Sequence, residues 1–129
     1  MITVSDIEKI LYKDCATFGV EVFPSGNVPV GEITAERIVV HSKPLQTEKI
    51  WNKSFCDVNI CVPDKNGQAD KIRIDVLARE AQDRFKGIVG EFDGTPYHYT
   101  WDTIGVENDT QMRCHYVNVR ILFEVLNID

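Results

Sequence analysis

Four cysteines, Cys15, Cys56, Cys61 and Cys114, and three histidines, His41, His98 and His115, are the side chains of this sequence with the widest chemistry. Their residue types suggest metal ligation or thiol-dependent hydrolysis, and neither finds the spacing it needs. Cys56 and Cys61 lie an odd number of residues apart on one predicted strand, so their sulfurs leave opposite faces. Cys114 and His115 are neighbours and diverge in the same way. No closely spaced cysteine pair of the zinc-ribbon kind exists, and no metal site is expected. A thiol nucleophile needs a histidine that a third polar group orients. Cys61 with His41 or His98, and Cys114 with His98, are the available combinations. None is surrounded by a nucleophile elbow or a glycine-rich oxyanion loop. With no export signal in view, the four thiols are expected to be reduced and to act as small apolar side chains.

Other ligand chemistries are equally thin. "PSGNVPVG" has two glycines, but it lacks the Lys-Ser/Thr ending of a phosphate loop and a following helix, so it reads as a turn. "DGTP" and "ENDT" are turn compositions before they are calcium loops. "YHYTW" places Tyr97, Tyr99 and Trp101 on one strand face. Such a row is either an aromatic surface that stacks on sugars or bases, or a wall of the core or of a subunit contact. His115 reads as a strand-end histidine. The sequence therefore predicts no catalytic residue, no cofactor and no metal.

A net charge of −6, from 14 basic and 20 acidic residues without any Lys/Arg run, argues against specific nucleic-acid binding. The N-terminus has no basic segment before an apolar run, and no stretch is long and apolar enough to span a bilayer. Neither export nor membrane attachment is expected, which places the protein in the cytoplasm where it is made. A length of 129 residues with 43% hydrophobic residues fits one domain, 1–129, with its own core.

The elements that would position these side chains follow from periodicity. "SDIEKILYKDCATFG" reads as a helix with Ser5 as N-cap and Glu8 closing a capping box; Ile7, Ile10, Leu11, Cys15 and Phe18 form its apolar face. Short strands are expected at 20–23 and 36–42, and a longer one in "FCDVNICVPD". There Cys56, Val58, Ile60 and Val62 oppose Phe55, Asp57, Asn59 and Cys61. "ADKIRIDVLAREAQDRFKG" reads as a second helix with Ile74, Leu77, Ala78, Ala81 and Phe85 inward. A hairpin follows: an aromatic strand from Tyr97, a long polar turn at "GVENDTQ", and the terminal strand "HYVNVRILFEV". The order α-β-β-β-α-β-β predicts an α+β fold with a mainly antiparallel, twisted sheet and both helices packed on one face.

The terminal strand has two distinct faces. His115, Val117, Val119, Ile121, Phe123 and Val125 suit a core. Tyr116, Arg120, Leu122 and Glu124, on the other face, mix apolar and charged groups of both signs. That face either meets another subunit, or is covered by helices and loops of its own chain.

This succession, an amphipathic helix, a strand with an irregular loop, the "FCDVNICVPD" strand, the "IRIDVLAREAQDRF" helix and an aromatic strand leading to "HYVNVRILFEV", resembles a known group. It is similar to the small head–tail joining, tail-completion and tail-terminator proteins of long-tailed bacteriophages and prophages. The resemblance implies a structural virion protein that assembles in the bacterial cytoplasm. It further implies a homo-oligomeric ring, often of six copies, in contact with other neck or tail proteins, and an interface on Tyr116, Arg120, Leu122 and Glu124. The polar loop "HSKPLQTEKIWNKS" has no counterpart in that group. The alternative expectation is a cytosolic small-molecule binding protein or a Cys-dependent hydrolase, suggested by Tyr97, Tyr99 and Trp101 near strand cysteines.

Overall fold

Thr3 starts the first helix, α1 (Val4–Cys15). In the computed structural model, which describes residues 1–128, its hydroxyl accepts from the Asp6 N–H at 3.2 Å, while the Asp6 carboxylate accepts from the Thr3 N–H at 2.9 Å. The N-cap is thus Thr3 with Asp6, not Ser5 with Glu8. Capping at Thr3 sets Ile2 and Ile7 on either side of the cap, the positions of a hydrophobic staple, and both are fully buried. A cap at Ser5 would leave Ile2 outside that arrangement.

After a 3-10 turn at Ala16–Phe18 come β1 (Glu21–Pro24), β2 (Arg37–His41) and β3 (Trp51–Pro63). The second helix, α2 (Lys71–Arg84), is capped by Asp70, whose carboxylate accepts from the Arg73 N–H. Three strands complete the chain: β4 (Ile88–Phe92), β5 (Thr95–Asp109) and β6 (Cys114–Leu126). They form one six-stranded sheet in the order β1-β2-β3-β6-β5-β4, antiparallel except for the parallel β1–β2 pair. The expected α+β class, with a mainly antiparallel sheet and both helices on one face, is what the chain forms.

β4 was not expected. It follows Gly87 and contains Gly90, which leaves too short an apolar run to read as a strand. Gly90 lies opposite Tyr97, and a Cβ there would collide with the Tyr97 ring, so the ring occupies the space a side chain would need. The long polar turn expected at "GVENDTQ" is also corrected. β5 continues to Asp109, because Gly105 to Asp109 pair with Asn118 to Cys114, and the reversal occupies only residues 110–113.

The core lies between the sheet and the helices. Ile7, Ile10, Leu11 and Cys15 of α1 and Ile74, Leu77 and Ala81 of α2 meet Ile38, Val40, Cys56, Val58, Ile60, Val117, Val119, Ile121 and Phe123. Ala78, expected inward, is only partly buried. Burial of such side chains contributes roughly 1.5–3 kcal/mol each. Tyr99 is fully enclosed, its ring 5.3 Å from Phe123 and its hydroxyl donating to the Asp14 carboxylate. Tyr97 stacks on the other side of Phe123 at 5.2 Å. Trp101 is half-buried and donates its indole N–H to the Gln82 carbonyl. The row Tyr97, Tyr99 and Trp101 is therefore a wall of the core under α1 and α2, and not an aromatic surface.

Candidate subunit interface

The opposite face of the sheet divides into a sealed half and an open half. Residues 25–36 fold over one end, tied down where the Ile33 N–H donates to the Met112 carbonyl. Beneath them Ile33, Val39, Cys61 and Cys114 make a second small core, with Val28, Met112 and Tyr116 packed against it. Arg37 is 7% exposed there and donates to the Pro29 carbonyl; its guanidinium also faces the Phe23 ring. Tyr116 belongs to this covered half. Burial, and then the nearby Glu107, push its phenol above the usual range.

The open half is built on the two central strands. Register fixes its rows: Asp57 of β3 opposite Arg120 of β6, Phe55 opposite Leu122, and Lys53 opposite Glu124. β5 extends these rows with Thr103 beside Arg120, Thr100 beside Leu122 and His98 beside Glu124. Arg120 sits at the centre, 4.4 Å above the Phe55 ring and 3.9 Å from the Asp102 carboxylate, with its side chain 48% exposed. Asp57 is 4.0 Å from the Lys43 ammonium and accepts from the Asn118 amide, which also donates to Asn59 at 2.7 Å. His41 lies opposite Asp57; burial and then Lys43 hold it below the usual histidine range, against the opposing pull of Asp57. At the far end Trp51 and His98 meet edge to face at 4.4 Å.

Of the four residues expected at the interface, the fold brings Arg120, Leu122 and Glu124 onto this open patch and places Tyr116 apart from it. Sequence reasoning did not assign Phe55, Asp57 and Lys43 to the patch. The alternation of β3 marked Phe55 and Asp57 as facing away from the core, but only pairing of β3 with β6 makes them neighbours of Arg120.

The groups tested for catalysis lie elsewhere. All four cysteines are buried. Burial pushes Cys15 and Cys114 up to about 12, and raises Cys56 and Cys61 as well. Thiols held protonated in this way lack the thiolate that nucleophilic attack requires. Cys56 shares a hydrogen bond with Ser54. His115 is paired through Nδ1 with Asp64 at 2.7 Å, a link from the start of β6 to the loop after β3. Among the described residues no group of three or more His, Cys, Asp or Glu side chains is placed to hold a metal ion. Nor, among the described residues, is any helix long and apolar enough to cross a membrane.

No protein-family model matches this chain, and no curated protein does. One solved structure, of a protein whose name states no role, shares the architecture. It has a TM-score of 0.58 and 14% identity, covering 95% of this chain and 92% of that one. At that identity the likeness is one of fold alone.

Proposed function

We propose that this chain is a structural subunit that assembles with copies of itself, as the resemblance to phage neck and tail-end proteins implies, into a ring at the head–tail junction or the tail terminus. The observation that carries this reading is the open half of the outer sheet face. On it Phe55 and Leu122 stand between charged rows, Asp57 with Arg120 on one side and Lys53 with Glu124 on the other. Aromatic, leucine and arginine groups in the middle of a sheet, ringed by charges of both signs, combine apolar anchoring with pairings that fix register.

Other features agree with it. The net charge of −6 would give a ring lumen that repels DNA passing through it. The small-molecule and thiol-hydrolase alternatives have less support, because the aromatic row serves the core and the thiols are enclosed and protonated. Partners in this reading are further copies of the chain and neighbouring neck or tail proteins, and the setting is the virion.

The test is substitution on the open patch. Leu122→Asp and Arg120→Glu should abolish ring assembly through this face, leaving no species larger than a dimer, while far-ultraviolet circular dichroism stays as in the wild type. Formation of the wild type's largest species by both variants at the same concentrations would refute the interface.

A further inference from the structure

β5 is paired on both sides over only part of its length. β4 accompanies it from Thr95 to Tyr99, whereas β6 accompanies it to Asp109. Beyond Tyr99 the side away from β6 meets only one strand-like contact among the described residues, the Trp101 N–H to the Phe85 carbonyl at 2.8 Å. Residues Thr103, Gly105, Val106, Glu107 and Asn108 are exposed, Val106 to 52%. An extended segment with an open row of backbone donors and acceptors is a template for another strand.

Which groups lie on that row follows from strand geometry. Side-chain face and the side to which N–H and C=O point alternate together along a strand. Trp101 faces the helices and sends its N–H away from β6. Past the bulge between Trp101 and Thr103, Ile104 and Val106 share the helix-side face, paired with Val119 and Val117. Ile104, Val106 and Asn108 therefore direct their N–H and C=O groups to the open edge.

We propose that this edge pairs antiparallel with the same edge of a second copy, about a two-fold axis at Gly105. The segment is self-complementary in that register. Ile104 meets Val106 of the second copy and Val106 meets its Ile104, as hydrogen-bonded pairs with apolar side chains together. Thr103 meets Glu107, the bulge residue Asp102 keeps its carboxylate beside Arg120 on the other face, and no carboxylate faces another. Glu107 of the second copy continues the row that runs from Asp57 through Arg120 to Thr103, which gives Arg120 a second acid to answer. Centring on Ile104 would instead leave Val106 opposite the bulge at Asp102, with no apolar partner, and centring on Val106 would set Ile104 against Asn108. A two-fold contact of this kind is separate from a contact made by the open sheet face.

Val106→Pro tests it, since proline removes one outward donor from each copy and is tolerated on an edge strand. The comparison is made in the Leu122→Asp background, so that failure of the edge contact and failure of the face contact are read apart. Sedimentation should show a reversible monomer–dimer equilibrium in Leu122→Asp alone, weakened by roughly tenfold or more once Val106→Pro is added. Amide hydrogen exchange on the unsubstituted chain gives an independent reading that does not depend on the proline variant folding. The amides of Ile104, Val106 and Asn108 should be protected at high concentration and exchange freely on dilution. Concentration-independent exchange at these amides, or equal dimerisation with and without the proline, would overturn the proposal.

Discussion

The guanidinium of Arg120 lies over the ring of Phe55, its carbon 4.4 Å from the ring centre, on the sheet face that neither helix covers. A cation held over an exposed aromatic ring is worth about 0.5–1 kcal/mol, and the pair with Asp102 adds little at such exposure. Arg120→Ala should therefore lower the stability of the isolated subunit by no more than about 1 kcal/mol in urea denaturation. A loss several times larger would mean that Arg120 serves the fold, and that assembly defects in its variants have another cause.

Tyr99 and Asp14 make the opposite case. Their hydrogen bond joins β5 to α1 at the partly buried edge of the core, and burial and Asp14 together push the phenol far above its usual range. Tyr99→Phe removes the donor and leaves the Asp14 carboxylate facing an apolar edge, which should cost about 1–3 kcal/mol. Tyr12→Phe, at an exposed position of α1, is the matched control and should be neutral by thermal denaturation.

Phe123 is sandwiched between Tyr97 and Tyr99. Its truncation to alanine empties the space between two rings that are themselves held by β4 and α1. The expected loss is about 3–5 kcal/mol by urea denaturation. A loss under about 1 kcal/mol would show that the aromatic row is not packed as described.

The buried thiols set an alkaline limit. Cys15 and Cys114 rise from the ordinary 9.0 to about 12 in the folded chain. Between those values the unfolded chain gives up protons that the folded chain keeps. Stability is thus intact below pH 9 and falls as pH rises from there toward 12. The thermal midpoint should decline across that window, less so in Cys15→Ala. At neutral pH all four thiols should react with a disulfide reagent on the order of a hundredfold more slowly than in denaturant. Fast labelling of any one at neutral pH would reopen the thiol-hydrolase alternative.

The sequence carried the strands whose side chains alternate cleanly. β6, and β3 from Phe55 on, read directly, because sealing one face against the helices forces apolar residues into every second position; β3 in fact begins at Trp51, because 51–54, polar enough to read as loop, pair with 123–126 of β6. The α2 face read well for the same reason. What periodicity could not carry was adjacency. Phe55 and Leu122 are far apart in the chain, and only the β3–β6 register makes them one patch. Nor could it tell which face of β5 lies under the helices, so Tyr97, Tyr99 and Trp101 were readable as a row, with core, subunit contact and aromatic surface all left open. Tyr116 has the same outward parity as Arg120, yet residues 25–36 cover it, a tertiary event that no local pattern announces. The end of β5 read as turn because its residues are small and acidic; pairing with β6 overrides that composition.

The central claim is that copies of this chain associate through the open face of the sheet. Sedimentation velocity of the wild type and Leu122→Asp, over a wide concentration range, tests it most directly. The account predicts wild-type species at whole-number multiples of the 14.7 kDa chain, with the largest lost in Leu122→Asp while its circular dichroism is unchanged. A wild type that sediments as a single chain at every concentration, or a Leu122→Asp variant that assembles as the wild type does, would contradict it.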